Sequence, residues 1–234
     1  AKNVRIQFTV EPAPFIYIQD DGSGMAEEEL RTAMKLAGKP PTLLRAKEDL
    51  GRFGLGLKTA SLSQCRRLVV VSKKQGQPAI GAVWDLDNVA SKGTWSLEWL
   101  EVSEVTDYLA MMTNPLAEQG TVVFWQQLDL LFIEEEQHNK SLSLKMETVA
   151  DHISLVFHRY LGAVGRARLT ININGLDLEP LDPFFSSNSA TQVKTELIKV
   201  GSENVKVTSF ILPHINRMSE AERKQAKRIS ERFR

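Results

Sequence analysis

Asp20 and Asp21 end the apolar run FIYI and lead into Gly22 and Gly24 in the stretch IQDDGSGMAEEEL, residues 18 to 30. A carboxylate at the end of a buried strand can accept a hydrogen bond from an exocyclic amine, and glycines let a chain turn beneath a flat ring. The same residues also suit a plain Asp-Gly turn. About thirty residues on, GRFGLGLKTASLS places Gly51, Gly54 and Gly56 at the opening of a helix. Bare backbone N–H groups and a positive helix end can approach an anion closely there, and Lys58, one turn in, can add a charge. The alternative is a glycine hinge between loop and helix. Amine acceptor, flat turn and anion cradle together have the chemistry of a purine nucleotide site.

The better-known phosphate loops do not fit. A P-loop needs Lys directly after its second glycine, but Gly56 is followed by Leu57 before Lys58, and the preceding LLRAKEDL is too charged for a buried strand. The dinucleotide fingerprint fails because Gly22 and Gly24 have no third glycine three residues on.

The elements that must position these residues are read from hydrophobic period. Val4, Ile6, Phe8 and Val10 alternate with polar positions, and with FIYI they predict an antiparallel hairpin ending at the glycine turn. Residues 26 to 37 follow a helical period through Leu30, Met34 and Ala37, with acids in the first turn. GKPPTLLRAKEDL reads as a mobile loop. Strands are then expected at RRLVVVSKK, AIGAVWDLD, TWSLEWLEV and GTVVFWQQL. IEEEQHNKSL reads as a solvated connector, followed by an amphipathic helix at about 143 to 161. RLTININGLDLEPLDPFF and VKVTSFILP read as strands of a new unit before a charged last helix.

Composition bounds the rest. At 42% hydrophobic and 25% charged residues, with 29 basic against 29 acidic side chains, the chain gives no global argument for nucleic-acid or membrane attraction. The single Cys65 fits a reducing compartment and a packing role, and a cytoplasmic location is expected. A strand pattern that opens within the first residues suggests a piece of something longer.

The order DDGSGM, GRFGLGLKTAS, GTVVFW resembles the ATP-binding superfamily of gyrase, heat-shock chaperones, histidine kinases and mismatch-repair MutL (GHKL), which shares the Bergerat fold. The resemblance implies an α+β chain: a Bergerat-type α/β sandwich, a mixed sheet with helices on one face, over residues 1 to 165. Part of an S5-like transducer domain would follow over 166 to 234. By the same resemblance Asp20 contacts the adenine amino group, Gly22 and Gly24 form its turn, and Met25 lines the base pocket. Gly51, Gly54 and Gly56 form the phosphate-facing end of a lid spanning about 38 to 56, and Phe53, Leu55 and Lys58 count with them as ATP-binding residues. Gly120 brings in Thr121, which supports the adenine contact directly or through water. GRFGLGLKTASLS and GTVVFWQQLD are most similar to the microrchidia-like branch and its bacterial relatives.

ATP and Mg2+ are therefore the expected cofactors, in an ATP-dependent switch with slow hydrolysis and dimerisation. The family's helix with a catalytic Glu and a magnesium-binding Asn would precede Ala1, so no catalytic or metal-binding residue is assigned to this chain. A histidine protein kinase domain and a non-hydrolysing nucleotide-gated module remain as alternatives. Among lesser candidates, His152 and His158 are six apart on one helix, a spacing that does not set two imidazoles on one metal. Glu134, Glu135 and Glu136 read as a solvated run. Residues 217 to 234 carry seven basic and three acidic side chains, a net of +4 that suits either a solvated face or a DNA or protein client.

Overall fold

The computed structural model describes residues 1–11, 13–35, 56–131, 138–165 and 168–232. These divide into two compact units, Ala1–Lys145 with Leu169–Leu178 and Met146–Arg168 with Glu179–Arg234.

The first unit is organised by an eight-stranded sheet. Its strands are β1 (Asn3–Thr9), β2 (Phe15–Asp20), β3 (Arg67–Lys73), β4 (Ile80–Asp85), β5 (Glu98–Trp99), β6 (Gly120–Gln126), β7 (Thr170–Ile173) and β8 (Leu176–Asp177), in the order β5-β4-β3-β6-β2-β1-β7-β8. The expected hairpin is present, with Ile6 opposite Ile18 and Val4 opposite Asp20. β1 also pairs in parallel with β7, Val4 opposite Ile171 and Ile6 opposite Ile173. The ININGLD strands thus join the first sheet instead of opening a new unit. Burial explains this: β7 buries Ile171 and Ile173, a hydrophobic pair that needs a sheet neighbour.

Register assigns each residue a face, because directly paired residues point to the same side. Tyr17, Phe124, Val69 and Val83 form one row across β2, β6, β3 and β4. They build a core with Val71, Val122, and Val105 of helix α4 (Val102–Ala110). Tyr17 and Phe124 are almost fully buried, their ring centroids 5.7 Å apart. Each contributes roughly 1.5–3 kcal/mol by burial. On the opposite face lie Trp125, Leu68 and Trp84, covered by α1 (Glu27–Met34) and α2 (Gly56–Leu62). Trp84 Nε1 donates to the Met34 carbonyl at 3.0 Å, and Trp125 Nε1 to Ser61 Oγ at 2.8 Å. The helix-covered face expected from the sequence is that of α1 and α2, and α4 adds a second covered face.

Two elements differ from the sequence reading. The strand expected at TWSLEWLEV is only Glu98–Trp99, because Val105, Tyr108 and Leu109 carry a helical period and the Glu104 carboxylate accepts the Glu101 N–H at 2.8 Å to start α4. AIGAVWDLD stops being a strand at Asp85, whose side chain caps α3 (Leu86–Lys92) by accepting from the Asp87 N–H at 3.0 Å and the Asn88 N–H at 3.3 Å.

The long helix is α5 (His138–Val156), starting earlier than expected and reaching back into the supposed connector, and the one-turn α6 (His158–Leu161) follows. The second unit holds the later part of α5, α6, the hairpin β9 (Gln192–Val200) with β10 (Glu203–Ile211), and α7 (Glu220–Arg232). Its small core is Leu155, Leu181, Phe185 and Ile229. On α7, Arg228 pairs with Asp151 and Lys224 with Glu220, so part of the basic stripe is spent within the unit.

Candidate nucleotide site

Three polar side chains interrupt the apolar rows of the sheet at one end. Asp20 of β2 pairs with Thr121 of β6, and Thr121 pairs with Ser72 of β3, so the three share a face, the one that α1 and α2 flank. Asp20 and Thr121 are half-buried, whereas Ser72 is fully buried. Ser72 Oγ lies 2.8 Å from Thr121 Oγ1, accepts the Met25 N–H at 2.9 Å and sits 3.2 Å from the Gly120 carbonyl. It ties the turn after β2 to the start of β6. The sequence reading missed Ser72; its signal was a single hydroxyl in the otherwise apolar LVVVS core of β3.

The glycines at this corner have steric reasons. Gly24 has φ +65, and a Cβ there would drive into the Lys73 carbonyl. Gly120 has φ +139, and its Cβ would strike the Asp20 carbonyl oxygen. A Cβ on Gly22 would come within 2.6 Å of Asp20 Oδ1, the atom that accepts the Gly22 N–H at 2.7 Å. Side chains at these positions would therefore displace the Asp20 carboxylate or the strand ends around it.

Burial raises the Asp20 pKa, an effect only partly offset by the Gly22 hydrogen bond. A half-buried carboxylate with a single backbone donor has acceptor capacity left for a ligand. Asp21 has the opposite environment. Its carboxylate accepts the Lys2 N–H at 2.6 Å, the Asn3 N–H at 2.9 Å and the Asn3 side-chain amide at 2.6 Å. Burial alone would raise its pKa, but the bonds from Asn3 and Lys2 outweigh burial and lower it. The two acids of DDGSG thus divide into a ligand-facing candidate and a strap across the start of β1.

Of the second cluster, Gly51, Phe53, Gly54 and Leu55 lie outside the described residues. Gly56 opens α2 with open space about its Cα, and Met25 follows the glycine turn with its N–H on Ser72. Lys58 is only 2% exposed, and its Nζ donates to the Ala33 carbonyl at 2.7 Å. That carbonyl belongs to the last turn of α1, where orphan acceptors attract a cation. Burial lowers the Lys58 pKa. The structure therefore seats Lys58 between α2 and α1 and brings Asp20, Gly22, Gly24, Met25, Gly120 and Thr121 together.

Other candidates stand apart. Among the described residues no group of three or more His, Cys, Asp or Glu could hold a metal. His158 Nδ1 lies 2.7 Å from the Leu155 carbonyl, a packing role. The second unit has a cavity of about 510 Å³ lined by His158, Arg159, Asp182, Phe184 and Phe210, which contains none of the site residues expected from the sequence. Among the described residues no helix is long and apolar enough to cross a membrane.

A family model described as Histidine kinase-, DNA gyrase B-, and HSP90-like ATPase matches residues 1–121, just over half of the 234-residue chain. The chain belongs to this GHKL-type ATPase family. No curated protein matches it. The eight-stranded mixed sheet with its helices is the Bergerat-type α/β sandwich of a GHKL ATPase. The family match runs through Asp20, the glycine turn and both glycine clusters and ends at Thr121, so it contains the whole polar row. ATP binding is the activity that this GHKL membership indicates.

Proposed function

We propose that the protein is an ATP-driven conformational switch in which Asp20 accepts the adenine amino group and Thr121 completes the base contact. The observation that carries this reading is the in-register row Asp20–Thr121–Ser72 beside a turn whose glycines each prevent a clash with the Asp20 or Lys73 backbone or the Asp20 carboxylate. A half-buried, underused acceptor beside hydroxyls suits the amine edge of adenine. Gly22, Gly24 and Met25 would underlie the ring, and the cluster from Gly51 to Gly56 would face the phosphates from a lid over about residues 38 to 56. Lys58, now tied to the end of α1, would couple that lid to the sheet.

In the full-length protein the switch would hydrolyse ATP slowly, with closure coupled to an S5-like transducer and to a second subunit. Magnesium would arrive on the nucleotide's phosphates. Among the described residues no group of three or more His, Cys, Asp or Glu could hold it. The likeness of GRFGLGLKTASLS and GTVVFWQQLD supports the microrchidia-like branch. Against a histidine kinase, the chain continues past β6 into a unit with its own hairpin and core. Amide exchange of the full-length protein tests the switch: residues 38 to 50 should gain protection with a non-hydrolysable ATP analogue, alongside slow ATP turnover. Equal exchange with and without the analogue would contradict closure.

A further inference from the structure

Resting on the adenine-site reading above, we infer that Ser72 is a positioning residue that makes Thr121 a hydrogen-bond donor toward the base, and thereby helps select adenine. A hydroxyl has one proton and two lone pairs. The Met25 N–H, 2.9 Å away, can only donate and occupies one lone pair of Ser72. The Gly120 carbonyl, 3.2 Å away, can only accept, and Thr121 Oγ1, 2.8 Å away, can do either.

Two arrangements are open to these partners, and they differ in whether the single Ser72 proton goes to the Gly120 carbonyl or to Thr121. In one, Thr121 donates to Ser72 and Ser72 must send its proton to Gly120 across 3.2 Å, beyond the usual O–H···O range of about 2.5–3.0 Å. In the other, Ser72 donates to Thr121 across the better 2.8 Å contact, and the Thr121 proton is released. Exposure decides between them. Ser72 is fully buried and no water can reach a poorly placed proton there, whereas Thr121 is half-buried and its proton can find solvent or a ligand. Ser72 donates and Thr121 presents its proton to the site.

Asp20 and Thr121 are direct cross-strand partners, so the site offers an acceptor beside a donor. Adenine carries the complement, an amino donor on C6 beside the acceptor N1. Hypoxanthine and guanine carry the reverse, an acceptor oxygen on C6 beside an N1–H donor. Without Ser72 the Thr121 proton loses its enforced direction, and the N1 half of this discrimination goes with it.

The test compares ATP with 1-deaza-ATP, which lacks N1, by calorimetric titration of the full-length wild type and Ser72→Ala. Wild type should bind ATP about tenfold more tightly than 1-deaza-ATP. In Ser72→Ala that ratio should fall toward one, chiefly through weaker ATP binding. A structural role alone, such as loss of the Met25 bond, would weaken both ligands equally and leave the ratio unchanged, which would overturn the inference. Equal affinity of the wild type for the two nucleotides would overturn it without any variant, and leave the adenine site itself standing. Absence of binding by either nucleotide to the wild type would overturn the site reading and this inference with it.

Discussion

Replacing Asp20 by Asn keeps the shape of the side chain and its acceptance of the Gly22 N–H through Oδ1, but exchanges a charged acceptor for a neutral amide. A hydrogen bond to a charged group is worth roughly 1.5–3 kcal/mol, so ATP affinity should fall about ten- to a hundredfold. Stability of the empty protein should move the other way or not at all. Burial raises the Asp20 pKa, so whatever the group contributes to folding is present in acid and lost as pH rises through its folded-state value. At neutral pH the ionised carboxylate is a cost to the empty fold, and Asp20→Asn should leave Tm unchanged or slightly higher. Asp21→Asn is the control with opposite signs. The lowered Asp21 pKa means that it stabilises at neutral pH and that this is lost as pH falls through its depressed value. Exchanging a charged for a neutral acceptor of the Lys2 and Asn3 N–H groups at this exposed position should lower Tm slightly, with little change in ATP affinity. Titration calorimetry and thermal melts of both variants in the full-length protein read these quantities. Equal affinity losses in the two variants, or a destabilised Asp20→Asn that still binds ATP normally, would refute the division of labour.

Gly24→Ala should lower Tm by more than the roughly 2–8 °C that a left-handed alanine alone costs, because its Cβ also meets the Lys73 carbonyl. Gly76→Ala, at φ +75 but in open space, should show only the backbone cost, and a similar loss in the two melts would contradict the steric argument. Lys58→Met should change stability by no more than about 1 kcal/mol in chemical denaturation, since it removes the Ala33 hydrogen bond together with the desolvation of a buried cation whose pKa burial lowers. The same variant should bind ATP severalfold more weakly if Lys58 couples lid to sheet, and unchanged affinity would remove Lys58 from the site.

The sequence was most legible where one period dominated. Alternation in NVRIQFTV and the apolar LVVV run announced β1 and β3, whereas DDGSG suits a plain Asp-Gly turn as well as a ligand site, and the resemblance to the GHKL superfamily is what singles out Asp20. The register partner was harder to see. Nothing local says that Ser72 faces Thr121, since that follows from the pairing of β3 with β6, which are about fifty residues apart. The helix α4 was hidden because Trp99, Leu100 and Val102 resemble a strand until the Glu104 carboxylate turns the chain. The β7–β1 pairing was hidden for a similar reason: a parallel neighbour contributed from more than 160 residues away leaves no local signature. Asp21 and Asp20 look alike in sequence and differ because burial acts on Asp20 while Lys2 and Asn3 donate to Asp21.

Amide chemical-shift mapping during an ATP titration of the full-length protein tests the central claim most directly. The proposed site predicts that, among the described residues, the largest changes fall on Asp20 to Met25, Ser72 and Thr121, with smaller ones at Gly56 to Lys58. Saturable shifts confined to other residues, or no shifts at millimolar ATP, would contradict the assignment of this corner of the sheet as the adenine site.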